Sequence, residues 1–521
     1  MRALIFHALC GAAAWAAATP HIVFLLTDDL GWGSVPGYGG MANETHTPAL
    51  DALRASGLTL LNFYVYQFCS PSRGAFLTGR YPYKLPQTRC NFLPATIPDG
   101  TPVEYSFLPK KLAAAGYVSS HVGKWHLGLS DVAFTPLARG FNYSTGFLLG
   151  GEDHQTQAGD VPACGSATVY DIWDGNATAA QFQGQYTGYR FNDAAVERIS
   201  THAAKYGDAP MFLYYALHNT HAPIEAEPKY LALYENITDK LQRTFYAMVS
   251  TVDDAVLNVT QALKASGMWD NTVFVWMTDN GSPIQVAGSN YPLRGCKGSN
   301  WEGGVRVPAL VNGGFLPAAQ RGKTTAGVSH IVDLYATFAG LAGVPAADPF
   351  GPEPLIDSLD LWPWWSGATR TSPRDEGGVV TVLDHSMYRA NATTGAIRRG
   401  KYKLLVGGSF SSGVSPQLGE WAASWYGTFS PNASFSGTAT YACPPSAPCL
   451  FDVVADPTEH VDLSAALPNV TASMLAAFRQ LDSTYHPPVN NPPEEKSAMC
   501  AAARAAAGPG EKLFITPWRG V

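Results

Sequence analysis

Charge is scarce in this chain. Asp, Glu, Lys and Arg make up 14% of its 521 residues, the formal net charge is −7, and neither sign forms a long run. A nucleic-acid partner requires a basic face or stripe, and this composition offers none. Apolar runs of spanning length are missing as well, so no membrane span is expected in the mature chain. There is no G-x-S-x-G elbow of a serine hydrolase. Arg321-Gly322-Lys323-Thr324 imitates the end of a phosphate-binding loop, but the first glycine of that loop falls at Pro317. His218 and His221 stand close together without a third nitrogen or sulfur ligand nearby, which argues against zinc.

Cysteine is sparse and informative. Residues 1–18 read as a signal peptide: Arg2 is the basic region, Ala3 to Trp15 is mostly apolar, and Ala16-Ala17-Ala18 offers a cleavage site. That implies the secretory pathway, with an extracellular or lysosome- or vacuole-like destination. N-x-S/T tripeptides at Asn43, Asn142, Asn176, Asn236, Asn258, Asn280, Asn391, Asn432 and Asn469 agree with that route. Of eight cysteines, Cys10 leaves with the signal, so an odd number remains and one is free or modified. Cys69 is the candidate. Cys443 and Cys449 bracket a short Pro-rich turn and can close a local disulfide. By elimination Cys90 would pair with Cys500 and Cys164 with Cys296, although spacing alone leaves the connectivity open.

Hydrophobic residues reach 46%, with 51 glycines and 38 prolines, which suits a large core carrying many structured loops. The short β-rich runs His21–Leu26, Met211–Leu217 and Thr272–Thr278 suit strands buried on both faces of a mostly parallel sheet. Thr59–Val65 and Tyr117–Val122 are further strands. Helices are expected from Pro48, over Leu108–Ala115, over Leu241–Ser266 and over Ser329–Leu341, with Asp253 and Asp254 on a solvated or capping face. The segment 345–371, rich in Pro, Trp and Gly, crosses to a second unit. That unit has short strands near Val379–Leu383, Ile397–Arg399, Tyr402–Val406 and Leu450–Val453 and a helix near Val470–Leu481. The expected fold is therefore α/β. Residues 19–370 form a large catalytic domain with helices on both faces of its sheet. Residues 371–521 add a small antiparallel sheet with a helix and a tail that shows no periodic pattern.

The chemistry collects at strand ends. The first run stops at Asp28-Asp29, and the Thr272–Thr278 run stops at Asp279-Asn280-Gly281. In open α/β sheets ligands bind beyond the carboxyl ends of strands. Adjacent carboxylates repel unless something positive lies between them, and four oxygen-bearing side chains suit a hard cation, Ca²⁺ before Mg²⁺. If they form that cage, Asn280 is buried and its N-G-S sequon stays unglycosylated. Gly123-Lys124-Trp125-His126 ends another strand, and Lys124 and His126 project the same way if the chain stays extended. His221, before the turn at Pro223, is placed as a proton donor or anion ligand, and Lys297 sits in a Gly-rich turn from which it could reach an anion. Cys69-Ser70-Pro71-Ser72-Arg73 marks a helix start, with Pro71 in the first turn and Gly79 after the end. A reactive side chain there, beside a guanidinium at the positive end of a helix, favours anions. Taken alone, the same segment is also a plain helix start with a buried thiol.

Cys69-Ser70-Pro71-Ser72-Arg73 with Thr78-Gly79-Arg80 resembles the signature of the type I sulfatases, the formylglycine-dependent arylsulfatases of the alkaline phosphatase superfamily. Gly123 to Gly128 resembles their second signature, and the resemblance covers nearly the whole mature chain. Asp452 with Asp456-Pro457-Thr458-Glu459 is similar to their C-terminal strand ending. Tyr170–Gly175 and Asn290–Pro308 look most similar to the arylsulfatase B, N-acetylgalactosamine-4-sulfatase-like group. Ser34 and Asn142 depart from the usual pattern at positions that do not react. The resemblance implies an alkaline-phosphatase-like fold and hydrolysis of a sulfated small molecule or glycan. It implies that a formylglycine-generating enzyme converts Cys69 to formylglycine (3-oxoalanine), whose hydrate attacks sulfur. It implies Ca²⁺ on Asp28, Asp29, Asp279 and Asn280 beside the residue-69 nucleophile. Arg73 would hold that nucleophile, Lys124, His221 and Lys297 would bind the sulfate oxygens, His221 or Lys297 would protonate the leaving alcohol, and His126 would take the nucleophile's proton. Two other readings remain at this point: a phosphomonoester or phosphonate hydrolase on the same fold, and a secreted binding protein with unconverted Cys69.

Overall fold

The computed structural model describes residues 19–38, 45–85, 100–159, 164, 167–348, 356–375, 381–389, 392–407, 443–486, 494–507 and 511–517. The signal segment, Cys90 and the sequons at Asn43, Asn391 and Asn432 lie outside the described residues.

The first sheet is built on runs that bury both faces. Its strands are β1 (His21–Thr27), β2 (Leu58–Tyr64), β3 (Val118–Lys124) and β4 (Tyr143–Phe147). A two-residue strand β5 (Val169–Tyr170) lies apart from it. The sheet continues with β6 (Trp173–Asp174), β7 (Ala177–Thr178), β8 (Met211–Ala216), β9 (Thr272–Thr278), β10 (Arg306–Asn312) and β11 (Lys323–His330). The ten strands run in the order β11-β2-β10-β9-β1-β8-β3-β4-β6-β7. The centre, β9-β1-β8-β3, is parallel. Strand side chains alternate between faces, and here both faces are dry. Ile22, Phe24 and Leu26 enter one core with Tyr214 and Val275. Val23 and Leu25 enter the other with Tyr215 and Trp276. The mostly parallel α/β architecture expected from the sequence is the one observed.

Helix Lys240–Ala265 packs on the second core against helices Thr187–Tyr206 and Pro48–Ser56. Asp253 does cap: its carboxylate accepts from the N–H groups of Ala49 and Leu50 at 3.0 and 2.8 Å, so a neighbouring helix supplies the cap that Thr47 does not. Several strands of this sheet escape the sequence pattern, β4, β6 and β7 among them, and two show why. β10 contains Pro308, which the antiparallel pair with β2 accommodates at a register shift between Val307 and Ala309. β11 is a polar edge strand, and it takes Ser329 and His330, so the helix expected from Ser329 spans only Leu334–Leu341.

The second sheet has the order β12 (Thr381–Arg389), β13 (Ala392–Arg399), β14 (Tyr402–Val406) and β15 (Cys449–Asp452), all antiparallel, with helix Pro468–Gln480 beside it. The tail is structured after all. Helix Glu494–Ala506 is followed by β16 (Leu513–Phe514), which pairs with β5. Cys443 and Cys449 are bridged as expected. Cys164 bridges to Cys500, not to Cys296, and closes a sequence separation of 336 residues. Cys296 is buried and lies outside both disulfides. Elimination failed because the tail returns to Cys164 and to β5, outside the large sheet, which no local signal announces.

One charged contact ties the sheets together. Lys403 on β14 is fully buried between Glu302 (3.0 Å) and Glu459 (2.8 Å). Glu302 also accepts from Tyr64 on β2, and its N–H donates to Glu459. Burial pushes Glu459 up to about 7 despite the ammonium. Removing one partner of a buried pair is far costlier than the pair is worth. Lys403→Met should therefore lose about 3–5 kcal/mol at neutral pH. Glu459 has a folded pKa above its unfolded one even beside the ammonium, and removing Lys403 takes away the cation that opposes that rise. The stability that protonated Glu459 contributes is lost as pH rises through its folded value, so the deficit should be larger at about pH 8 than at about pH 5. Urea unfolding of both proteins at the two pH values checks this.

Candidate active site

The parallel centre of the sheet brings four strand ends to one edge. β1 delivers Asp28 and Asp29, β9 delivers Asp279 and Asn280, β3 delivers Lys124, and the turn after β8 delivers His221. The turn is held against β1: Asp28 N–H donates to Asn219 O at 3.1 Å, and Thr220 N–H donates to Asp28 O at 2.6 Å. Helix Cys69–Thr78 starts at the same edge, with Phe68 extended before it and Gly79 in the left-handed region (φ 68°) after it. All ten of its residues are buried. Ser72 anchors its first turn, accepting from Tyr66 N–H at 3.0 Å and donating to Asp279 O at 2.6 Å. The sequence signature showed Ser72 but not this role.

Three carboxylates meet three cations. Lys124 Nζ lies 2.5 Å from Asp28 Oδ2. Lys297 Nζ lies 2.7 Å from Asp29 Oδ1. Arg73 places Nη2 2.7 Å and Nε 3.1 Å from Asp279 Oδ2, and its Nη1 donates to Lys124 O at 3.1 Å. The Cys69 thiol lies 3.4 Å from Asp28 Oδ1. Tyr214, which no motif flagged, sits 3.4 Å from Arg73 Nη1. Asp29 and His126 both adopt positive φ, 61° and 56°, a conformation that non-glycine residues hold only when their surroundings impose it. The chain does not stay extended from Lys124 to His126: it turns, and the two side chains do not share a face by strand alternation. His126 instead packs under Gly150, where a Cβ would come within 2.7 Å of its ring.

The electrostatics are those of a site built for charge. Burial opposes ionisation of Asp28, but Lys124, then His221, Arg73 and Lys297, outweigh it and hold the carboxyl well below the usual range. Burial and then the Asp28 charge push Asp279 up to about 6. The packing around His221, then Lys124 and Lys297, lowers its pKa to about 4. Its Nδ1 faces Ala222 O at 2.7 Å, an atom that only accepts, so Nδ1 carries the hydrogen and Nε2 is the lone-pair atom, 3.8 Å from Asp29.

Asp28, Asp29, Asp279 and Cys69 bring potential ligand atoms within 4.8 Å of one another, and Asp28, Cys69 and His221 form a second such group. His218 belongs to neither; it is stacked on His154 at 3.8 Å between ring centroids. Asn280 supplies the test of fit. It is fully buried, its amide nitrogen donates to Asp29 Oδ1 at 2.6 Å, and its Oδ1 has no partner. An orphaned buried oxygen is costly. A cluster of carboxylates around one bare amide oxygen is the donor set of a hard cation. The burial also removes Asn280 from glycosylation.

A sulfatase family model matches residues 20–344, well over half of the chain. The chain belongs to the sulfatase family. Arylsulfatase J of Mus musculus is 34% identical over 491 residues, covering 91% of this chain and 78% of that protein. N-acetylgalactosamine-6-sulfatase of Mus musculus is 32% identical over 493 residues, covering 88% and 85%. The solved structure of Ps i-CgsB in complex with k-i-k-neocarrahexaose superposes with a TM-score of 0.74 at 27% identity, covering 94% of this chain and 98% of that one. These relatives do not single out the arylsulfatase B group that Tyr170–Gly175 suggests. Within this family the chain is an enzyme of the arylsulfatase type, and its relatives indicate sulfate ester hydrolysis.

The bare Asn280 oxygen makes a prediction. Added Ca²⁺ should raise the melting temperature of chelator-treated protein in proportion to ln(1 + [L]/Kd). Asn280→Ala should reduce that rise, which differential scanning calorimetry reads directly.

Proposed function

We propose that this enzyme hydrolyses sulfate monoesters with a formylglycine made from Cys69 by a formylglycine-generating enzyme, assisted by Ca²⁺ held by Asp28, Asp29, Asp279 and Asn280. The observation that carries the reading is the state of Cys69. A useful thiol nucleophile needs a lowered pKa. Burial, then Asp279 and Asp28, push this one up instead. A thiol set against carboxylates at a helix start is ill placed to act as a thiol, and well placed to be the precursor of an oxygen nucleophile. When present, the formylglycine hydrate supplies that nucleophile and Ca²⁺ supplies Lewis acidity.

The chain's own residues do the rest. Lys124 and Lys297 pair with Asp28 and Asp29. With Ca²⁺ held by those carboxylates, Lys124 and Lys297 would bind the oxygens of an anionic ester, as preorganised donors to charge that grows as the S–O bond breaks. Arg73 keeps Asp279 ionised and in place. His126 accepts the proton of the nucleophile in this reading. His221 and Lys297 both face the leaving oxygen. Asp29 holds Lys297 strongly protonated, which makes it a poor acid. His221 starts with a low pKa that a bound anion raises toward neutrality, the range a general acid needs. We assign the proton to His221 Nε2. Relatives named for N-acetylgalactosamine 6-sulfate and crystallised with a neocarrahexaose support a carbohydrate sulfate as substrate class. Two disulfides fit an oxidising compartment, in keeping with a secreted or lysosome-like location.

Two experiments test the reading. Cys69→Ala should fold normally and lose sulfate ester turnover, and the wild-type enzyme should prefer an aryl sulfate to the matching phosphate; the reverse preference would make it a phosphohydrolase. His221→Ala should lose about 10²–10⁴-fold in kcat with esters of poor leaving alcohols and less with nitrophenyl sulfate. Lys297→Ala should raise KM for both. A leaving-group dependence that appears with Lys297→Ala and not with His221→Ala would reverse the assignment.

A further inference from the structure

The loop after β4 touches both candidate catalytic histidines. A Cβ on Gly150 would fall 2.7 Å from Cε1 and Nε2 of His126, and one on Gly151 would fall 3.0 Å from Cε1 of His221. The backbone of this loop therefore lies against the two imidazoles. It also holds the chain that carries His126: Trp125 N–H donates to Phe147 O at 2.9 Å and His126 N–H donates to Leu148 O at 3.2 Å. His126 has positive φ, so its backbone needs such support.

What fixes the loop is a single buried carboxylate. Asp171 is wholly buried. Its Oδ2 accepts from Leu148 N–H at 3.0 Å and from Leu149 N–H at 2.7 Å, and its Oδ1 accepts from Trp173 Nε1–H at 3.0 Å. No cation pairs with it among the described residues; three N–H donors alone carry the charge against burial, which pushes its pKa up to about 6. Asp171 is itself clamped from two sides. Its N–H donates to Gln157 O at 3.0 Å, and the preceding Tyr170 pairs with Phe514 of β16 while its carbonyl accepts from Ile515 N–H at 2.8 Å. The C-terminal tail that carries β16 is tied back by the Cys164–Cys500 bridge. A chain of contacts runs from tail to Tyr170, to the Asp171 carboxylate, to Leu148, to His126.

We propose that Asp171 is a positioning residue for the sulfatase reaction: its carboxylate clamps the Leu148–Gly151 backbone against His126 and His221. The inference rests on the catalytic roles given above to those histidines. A burial penalty is tolerated here because the clamp fixes reacting groups, whose misplacement by about 1 Å can cost 10²-fold in rate. An asparagine keeps one oxygen acceptor, which serves the Leu148 and Leu149 N–H groups while the bond from Trp173 Nε1–H is lost.

The test uses the full-length enzyme, three variants and two readouts. Asp171→Ala should lower kcat for an aryl sulfate by about 10²-fold while KM changes little. Asp171→Asn should recover most of kcat, because the amide oxygen still accepts from Leu148 and Leu149. Gly150→Ala, which leaves every Asp171 bond in place and pushes on His126, should reproduce the kcat loss without loss of melting temperature. Hydrogen exchange of the peptide spanning 146–152 reads the clamp independently of turnover: protected in wild type and Asp171→Asn, unprotected in Asp171→Ala. Lost protection with unchanged kcat would overturn the proposal, as would equal losses of kcat in Asp171→Ala and Asp171→Asn. If Asp171→Ala does not fold, an Asp171→Asn enzyme with exchange-labile 146–152 amides and full kcat overturns it too. A wild-type protein inactive on every sulfate ester would refute the functional reading, and the exchange result would still decide whether the clamp exists.

Discussion

Three carboxylates and three cations buried at the ends of four strands are the constraint on which the rest of this molecule depends. Asp28, Asp29 and Asp279 lie almost wholly out of water and pair with Lys124, Lys297 and Arg73. Such groups are expensive to bury, and removing any one of them leaves its partner charged and unpaired, so the fold must justify them. It does so by making the strands that deliver them apolar on both faces. β1, β8 and β9 present no exposed side chain along their length. The dry sheet keeps the dielectric low where the charges sit, which strengthens each pairing and raises the penalty for any group left alone. Asn280 Oδ1 is such a group, and a metal ion is the simplest answer to it.

The same constraint accounts for the odd placement of Cys69. In an apolar setting a thiol would be inert packing; next to a cationic group it would be reactive. Here burial first, then Asp279 and Asp28, raise its pKa against the opposing pull of Lys124 and Lys297. That leaves the unmodified side chain poorly suited to act as a nucleophile. The surrounding groups are matched to an anionic ester, and the relatives are named as sulfatases.

Much of this was legible in the residues. The central strands announce themselves by continuous apolar runs, and the strand-end grammar of Thr-Asp-Asp and Thr-Asp-Asn places four oxygen-bearing side chains at one edge before any geometry is known. Cys69 through Arg80 reads as a helix with its cap, and it is one. What the residues hid was long-range. β10 carries a proline that a register shift absorbs. Asp253 caps a helix some 200 positions away. The tail looks featureless, yet it closes a disulfide with Cys164 and adds a strand beside Tyr170. Lys124 and His126 looked like neighbours on one strand face, and the left-handed turn at His126 separated them. Gly150 carries no motif, and Asp171 lies in a stretch, Tyr170–Gly175, that pointed only to a subgroup. Their importance comes from what lies beside them in space.

The central claim is that residue 69 does not act as a cysteine. Mass spectrometry of the Cys69-containing peptide, from protein made in a cell that exports it through an oxidising compartment, tests this most directly. The account predicts a peptide carrying an aldehyde in place of the thiol, trapped by a hydrazide reagent, in an amount that tracks specific activity across preparations. A fully active preparation whose peptide carries only the unmodified thiol would contradict it.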